Sequence, residues 1–148
     1  MSESLVLRVA TESDDARIRE WVCAGDDYSA FPLPLQKQLA ETQWLGWCAG
    51  LRGQDGATTW VLCEGAETVG VLVLQGADVV RILDVIVAPE ERGRGIGTWL
   101  FETLQRKYNA LELQVVKDNP ARRLYEHQGF AVVGQDDLHV HMRWLCSP

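Results

Sequence analysis

The sequence has little cysteine, no cysteine pair at metal-binding spacing and no apolar run long enough to cross a membrane. Its four cysteines stand far apart, which is typical of buried, reduced thiols in a cytoplasmic protein. The longest apolar stretch, residues 69–87, contains glycine and charged residues and is too broken for a transmembrane helix. The first ten residues have neither the basic segment nor the apolar segment of a signal peptide. We therefore expect a cytoplasmic protein with no membrane partner.

Positive charge is also scarce, and its distribution is uneven. The chain carries 14 Lys and Arg against 21 Asp and Glu, a net charge of −7. Half of the basic residues fall between positions 92 and 123, namely Arg92, Arg94, Arg106, Lys107, Lys117, Arg122 and Arg123. Nucleic acid requires a broader basic face, so we expect no nucleic-acid partner. One basic segment in an acidic chain instead predicts a site for a small polyanion.

A glycine-rich loop at the start of this segment indicates where the anion binds. An apolar strand ends at Val87, and a helical apolar pattern begins at Ile96. The glycine-rich loop leads into the first turn of this helix and consists of Arg92, Gly93, Arg94, Gly95, Ile96, Gly97 and Thr98. Glycines let a ligand approach the backbone, and the first turn of a helix presents free N–H groups and a favourable dipole to an anion. The two arginines add bidentate donors. These features predict a phosphate-binding cradle.

Two common phosphate-binding motifs do not fit this loop. A P-loop requires Lys followed by Ser or Thr after its glycines, and this pair is missing. A dinucleotide-binding turn requires G-x-G-x-x-G, but Thr98 occupies the third glycine position after Gly93 and Gly95. Asp118 stands where the ribose-binding acid would be expected, yet too few residues follow the loop for a doubly wound domain.

The pattern R-x-x-G-x-G resembles motif A of the GNAT superfamily of N-acetyltransferases, which cradles the pyrophosphate of acetyl-CoA. Arg92, Gly95 and Gly97 fill its positions, and Val85 and Val87 match the preceding strand. The resemblance implies acetyl-CoA as co-substrate. It also implies that the whole loop contacts the cofactor, together with Val85 and Val87.

A second motif follows downstream, between residues 119 and 130. Asn119 suits a helix N-cap, Pro120 suits the first helical position and Gly129 suits the residue after the helix, so we predict a helix over 120–128. The spacing resembles the GNAT motif N-x-x-A/S-x-x-x-Y-x-x-x-GF, with Asn119, Tyr125, Gly129 and Phe130 in register. The resemblance adds Asn119 and Tyr125 to the cofactor-binding residues.

The fold class that follows is α/β (α+β), in one domain over residues 1–148. Periodicity and turn signals predict the order βααβββαβαββ. The helix joining strands 79–87 and 111–116 predicts that these two strands run parallel. The resemblance implies a mixed, mainly antiparallel sheet of about seven strands flanked by about four helices. It also implies that the two parallel strands splay apart to admit the pantetheine arm.

The predicted enzyme is an acetyl-CoA-dependent N-acetyltransferase in which a primary amine attacks the thioester directly. Tyr125 is the candidate acid for the CoA thiolate, since the family often places a tyrosine there; otherwise it is a core aromatic residue. Asp84 is either the base or a structural hydrogen-bonding group. The backbone N–H of Val87 is a candidate donor to the oxyanion. A catalytically silent acyl-CoA sensor is the competing hypothesis.

The amine acceptor is not specified by any motif. Asp26, Tyr28 and Phe31 are candidate substrate-binding residues because this region carries acidic and surplus aromatic side chains. His139 and His141 share one face of a predicted strand but lack a third ligand, so we expect no metal. An amino acid, a peptide, a protein lysine, a polyamine and a drug amine all remain open, as does a homodimer.

Overall fold

The computed structural model describes residues 5–24, 31–52 and 54–146. Seven strands of this part form one sheet in the order β1-β2-β3-β4-β5-β7-β6. Neighbouring strands are antiparallel except β4 and β5, which are parallel. The strands are β1 (Leu5–Val9), β2 (Ala57–Glu64), β3 (Glu67–Gln75), β4 (Val80–Val87), β5 (Ala110–Val116), β6 (Ala131–Gln135) and β7 (His139–Leu145). The predicted mixed sheet is confirmed.

Four α-helices of the described residues complete the predicted order βααβββαβαββ. They are α1 (Asp15–Ala24), α2 (Leu33–Trp47), α3 (Ile96–Lys107) and α4 (Arg122–His127). Among the described residues, no helix combines the length and the apolar character needed to cross a bilayer. The fold class predicted from the sequence is therefore confirmed.

The helices divide between the two faces of the sheet according to their apolar spacing. Leu100, Phe101 and Leu104 of α3 are almost fully buried against β3, β4, β5 and β7. On the opposite face, Ile18 and Trp21 of α1 pack with residues of β2 and β3. Complete burial of a large apolar side chain contributes about 1.5–3 kcal/mol, so these i, i+3 and i+4 stripes fix each helix to its face.

Two helices begin at different residues than the sequence predicts. Helix α2 begins at Leu33 instead of Leu35, because Pro34 is tolerated in the first turn, where its missing N–H has no partner to lose. Helix α4 begins at Arg122 instead of Pro120. The carbonyl of Asn119 accepts a bond from Arg122 N at 3.1 Å, which makes a tight turn ahead of the helix. The Asn119 side chain still caps this turn, accepting from Ala121 N at 2.9 Å.

A bulge in β4 opens the sheet. Val73 lies opposite Asp84 and Leu74 lies opposite Ile82, so Leu83 is an extra residue in β4. The parallel pairing of β4 with β5 covers only residues 80–82 and 111–113. Beyond this point residues 83–87 and 114–116 diverge, and we call the space between them the strand gap. The structure thus shows the splay that the resemblance implies.

Within the residues that the structure describes, one half of the sheet is left bare on the α1–α2 face. The apolar core under these two helices includes residues of β2, β3 and β4. Side chains of β5 and β7 that point to the same face are half-buried or exposed, and most are polar. They include Glu112, Gln114, His139, His141 and Arg143. This bare face adjoins the strand gap.

Candidate active site

The glycine loop, residues 92–98, has a backbone that requires glycine at two positions. Gly93 has φ +83° and Gly95 has φ +80°, a left-handed conformation that costs other residues about 1–2 kcal/mol. A Cβ added at either glycine would meet nothing within 4 Å. Both positions therefore face open space, and a ligand can approach the backbone there.

The main-chain N–H groups of this loop are available to a ligand. Within the described part of the chain, none of the N–H groups of residues 93–98 donates a hydrogen bond. The first protein-bonded amide is that of Trp99, which donates to Gly95 O at 3.0 Å. A cavity of about 170 Å³ lies against the loop and the side chain of Leu124. Helix α3 adds the positive end of its dipole, so this cavity favours an anion.

The two arginines of the loop have different surroundings. Arg94 donates to both carboxylate oxygens of Glu64 at 3.0 and 3.1 Å and also pairs with Glu91. These bonds raise its pKa and tie the loop to β2. Arg92 is instead exposed, and its Nε donates to Val87 O at 3.2 Å. Arg92 lines the cradle cavity and has no carboxylate partner among the described residues, which leaves it better placed for a phosphate than Arg94.

Adjoining cavities lead from the cradle to the strand gap, and together we call them the channel. A cavity of about 500 Å³ shares Val87, Arg92, Gly97 and Leu124 with the cradle. The gap itself encloses about 400 Å³ and shares Val85, Ala121 and Tyr125 with this cavity. Strand β4 forms one wall of the channel, and α4 forms the opposite wall.

The peptide group of Val87 faces this channel. Its carbonyl accepts from Arg92 instead of from β3. In an antiparallel pair a residue exchanges both of its backbone bonds with the partner strand or neither, so the Val87 N–H points the same way as its carbonyl. No β5 residue pairs with β4 at this position. The predicted oxyanion donor therefore faces the channel.

Asp84 lies in the strand gap and is held by a tryptophan from α2. The indole Nε1 of Trp47 donates to Asp84 Oδ2 at 2.6 Å, and Val85 N donates to Asp84 Oδ1 at 2.9 Å. Burial raises the pKa of Asp84, and the two hydrogen bonds partly oppose this by stabilising the carboxylate. Trp47 is itself buried and stacks on Trp44 with a centroid distance of 5.7 Å. The result is a fixed, desolvated carboxylate.

Tyr125 reaches the gap from α4 on the other face of the sheet. Its ring packs against Phe101 and Phe130 with centroid distances of 5.3 and 6.2 Å. Burial raises its pKa, and the negative charge of Asp84 raises it further. The phenol thus stays protonated at neutral pH and can act as an acid. Tyr125 is a core aromatic and a gap-lining hydroxyl at once.

Of the three predicted acceptor residues, the structure describes only Phe31. Asp26 and Tyr28 lie outside the described residues. Phe31 is exposed ahead of α2, where its carbonyl accepts from Gln36 Nε2 at 2.6 Å, and it lines none of the cavities described above. His139 lines the gap instead, and its ring nitrogen lies 3.4 Å from Asp136.

The sequence did not predict that Trp47 bonds to Asp84. In the sequence it is one of several aromatic residues near α2, and nothing in its spacing indicates that it bonds to a residue 37 positions later. Asp136 was missed as well. It accepts from the N–H groups of His139 and Leu138, which lower its pKa, and from the His141 ring at 3.3 Å.

Comparisons with known proteins agree with this geometry. Residues 55–132 match the model of the acetyltransferase (GNAT) domain. No curated protein gives a significant sequence match. Among solved structures, PaiA N-acetyltransferase from Thermoplasma acidophilum, in complex with coenzyme A, is 17% identical with a TM-score of 0.65, covering 96% of this chain and 99% of that one.

Two further structures show the same fold. An acetyltransferase from Thermus thermophilus is 18% identical with a TM-score of 0.70, covering 96% of this chain and 97% of that one. Spermidine/spermine N-acetyltransferase SpeG from Vibrio cholerae is 19% identical with a TM-score of 0.65, covering 97% and 94%. The family match extends over more than half of the 148 residues. The chain belongs to the GNAT acetyltransferase family and is an acetyl-CoA-dependent N-acetyltransferase.

Proposed function

We propose that this protein transfers the acetyl group of acetyl-CoA to a primary amine by direct attack, within the channel between the glycine loop and the strand gap. The pyrophosphate binds the free N–H groups of residues 93–98, which include those of Ile96 and Thr98 at the start of α3, and the guanidinium of Arg92 adds a charged contact. The pantetheine arm follows Val85, Val87 and Asn119 toward the gap. Arg94 acts indirectly, by holding the loop in the shape that presents its amides.

The residues of the gap supply the acid and base that this reaction requires. Asp84 accepts the proton of the acceptor ammonium, because burial makes it a stronger base than an ordinary aspartate. The neutral amine then attacks the thioester carbonyl, and the Val87 N–H stabilises the oxyanion. As the carbon–sulfur bond breaks, Tyr125 gives its hydroxyl proton to the departing sulfur. The remaining extra proton of the attacking nitrogen returns to the Tyr125 oxygen, and Asp84 releases its proton to solvent. The products are the N-acetyl amine and coenzyme A.

A single observation carries the proposal. The unbonded amides of the loop, the 500 Å³ cavity, and the gap containing Asp84 and Tyr125 form one connected space. The space leads from an anion cradle to an acid and a base on opposite faces of the sheet. This is the arrangement required for a thioester donor that arrives from one side and an amine that arrives from the other.

The test is release of free thiol from acetyl-CoA with a panel of primary amines. We expect release that depends on both the amine and the protein, and acetylated amine in equal amount by mass spectrometry. Tight binding of acetyl-CoA without turnover on any amine would favour the sensor hypothesis and contradict the proposal. The cytoplasmic location stays a prediction, which fractionation of cells expressing the tagged protein can test.

A further inference from the structure

A polar trough crosses the bare sheet face and opens into the strand gap. Two adjoining cavities of about 280 and 180 Å³ form it and share Arg81 and Gln114. The larger one also shares Leu83 and Gln114 with the gap cavity. The trough is lined by Gln54, Arg81, Leu83, Glu112, Gln114 and His141. It therefore offers an approach to Asp84 from the face opposite α3 and α4.

Most charges in and beside the trough are already neutralised. Glu112 accepts from Arg143 at 2.9 Å, and His141 lies 3.3 Å from Asp136. Arg81 stands directly opposite Glu112 in the β4–β5 pairing, yet Glu112 turns to Arg143. Within the described residues, the Arg81 side chain has no hydrogen bond or ion pair, and neither has the side-chain amide of Gln114.

The bulge in β4 places this unpaired cation on the same face as the catalytic carboxylate. Residues three apart on a regular strand point to opposite faces. Because Leu83 is an extra residue, Arg81 and Asp84 both point to the α1–α2 face. Three strand residues span about 10 Å between Cα atoms. The path from the trough into the strand gap thus has a positive group in the trough, Arg81, and a negative group in the gap, Asp84.

From this pairing we infer that the acceptor carries a carboxylate as well as its primary amine. The amine lies beside Asp84, and the carboxylate binds the guanidinium of Arg81 and the amide of Gln114. A guanidinium matches a carboxylate with two parallel hydrogen bonds, which gives both affinity and orientation. A polyamine would instead bring a second ammonium next to Arg81. The inference rests on the proposed function and specifies its substrate class as amino acids or short acidic peptides.

The experiment compares acceptors that differ only in this charge. The pairs are 6-aminohexanoate with 6-aminohexanamide, and glycylglycine with glycylglycinamide; 1,6-diaminohexane serves as the dication. For at least one pair we expect kcat/KM for the acid to exceed that for the amide by about tenfold, which corresponds to about 1.4 kcal/mol. In Arg81→Gln the two members should become equal, with the KM for acetyl-CoA unchanged.

Matched variants separate binding from general charge effects. Arg81→Lys should keep part of the preference, because it retains the charge but not the bidentate geometry. Arg81→Glu should shift the preference toward the diamine. Arg106→Gln removes an exposed arginine of α3 and should change nothing. Equal rates for acid and amide in the wild-type protein, or a preference that survives Arg81→Gln, would overturn the inference.

A binding measurement keeps the inference distinct from the catalytic proposal. Calorimetry with the CoA-loaded protein measures the affinity of the same acids and amides without turnover. Binding of an acid that weakens about tenfold in Arg81→Gln would support the subsite even if no thiol is released, in which case the catalytic proposal alone fails. If neither acid binds in an Arg81-dependent way, the subsite is wrong even where other amines are acetylated.

Discussion

The cofactor side and the acceptor side of the strand gap are built on different principles. On the cofactor side, the ligand meets main-chain N–H groups in a loop shaped by two glycines with positive φ. On the acceptor side, the trough is a patch of side chains on a bare sheet face, contributed by β4, β5, β7 and the segment before β2. The first depends on backbone geometry and the second on side-chain identity.

This difference determines which residues tolerate substitution. A backbone cradle tolerates few changes, since any Cβ at Gly95 projects into the ligand space. The exposed side chains of the trough carry little of the core, so they can change without cost to the fold. We expect the cofactor side to define the reaction and the acceptor side to define the substrate.

Tyr125→Phe probes the point where the two sides meet. Loss of the hydroxyl removes the acid for the departing sulfur, so kcat should fall by about 100- to 1000-fold, within the usual range for acid–base catalysis. Steady-state thiol release measures this, and calorimetry should show a much smaller change in the affinity for CoA. Tyr108→Phe, which removes a hydroxyl that lines no described cavity, is the control. Equal turnover in both variants would exclude Tyr125 as the acid.

Gly95→Val probes the backbone cradle alone. The new side chain blocks approach to the loop amides, each worth about 1.5–3 kcal/mol toward a charged group, so the Kd for CoA should rise by at least about 100-fold. Gly65→Val is the control, because Gly65 has φ +62° and open space around it but lies in the β2–β3 hairpin. It should share the strain and keep CoA affinity. Unchanged affinity in Gly95→Val would refute the cradle.

Arg92→Ala separates charge from packing on the cofactor side. We expect a roughly tenfold loss of CoA affinity at low ionic strength that shrinks toward about twofold in high salt, because an exposed ion contact is screened. Calorimetry at two salt concentrations measures it, with Arg106→Ala as the control. A loss that is independent of salt would indicate that Arg92 acts through its bond to Val87 O.

Trp47→Phe probes the acceptor side through the pH profile. The indole bond stabilises the Asp84 carboxylate, so its loss should raise the pKa of Asp84 above its already raised value. Because activity requires the carboxylate form of Asp84, the acidic limb of the kcat/KM profile should move to higher pH. Trp44→Phe perturbs the same stack without touching Asp84 and should leave the limb in place. Equal shifts in both variants would assign the effect to packing.

The cofactor side could be predicted from the sequence because its signals are local. Positive-φ glycines, the β-branched run before them and the apolar spacing of α3 all lie within residues 80–107, and each determines its own conformation. The end signals around α4 locate Tyr125 correctly on that helix, and Gly129 has the expected positive φ of +92°. The predicted start of α4 is wrong because Asn119 caps a tight turn before the helix.

The acceptor side could not be predicted because its contacts join distant segments. The bond between Trp47 and Asp84 and the ion pair between Glu112 and Arg143 each connect residues at least 30 positions apart. The common face of Arg81 and Asp84 depends on a one-residue bulge, which no residue pattern marks in a run of β-branched residues. Asp26 and Tyr28 stay predictions, as they lie outside the described residues.

The most direct test of the division is the amide spectrum of the ¹⁵N-labelled protein during titration with CoA. We expect large shifts of the amides of Gly93, Gly95 and Gly97, as hydrogen bonds form to the diphosphate, with the amides of Arg81 and Glu112 unaffected. Shifts confined to the trough, with the glycine-loop amides unmoved at saturation, would contradict it.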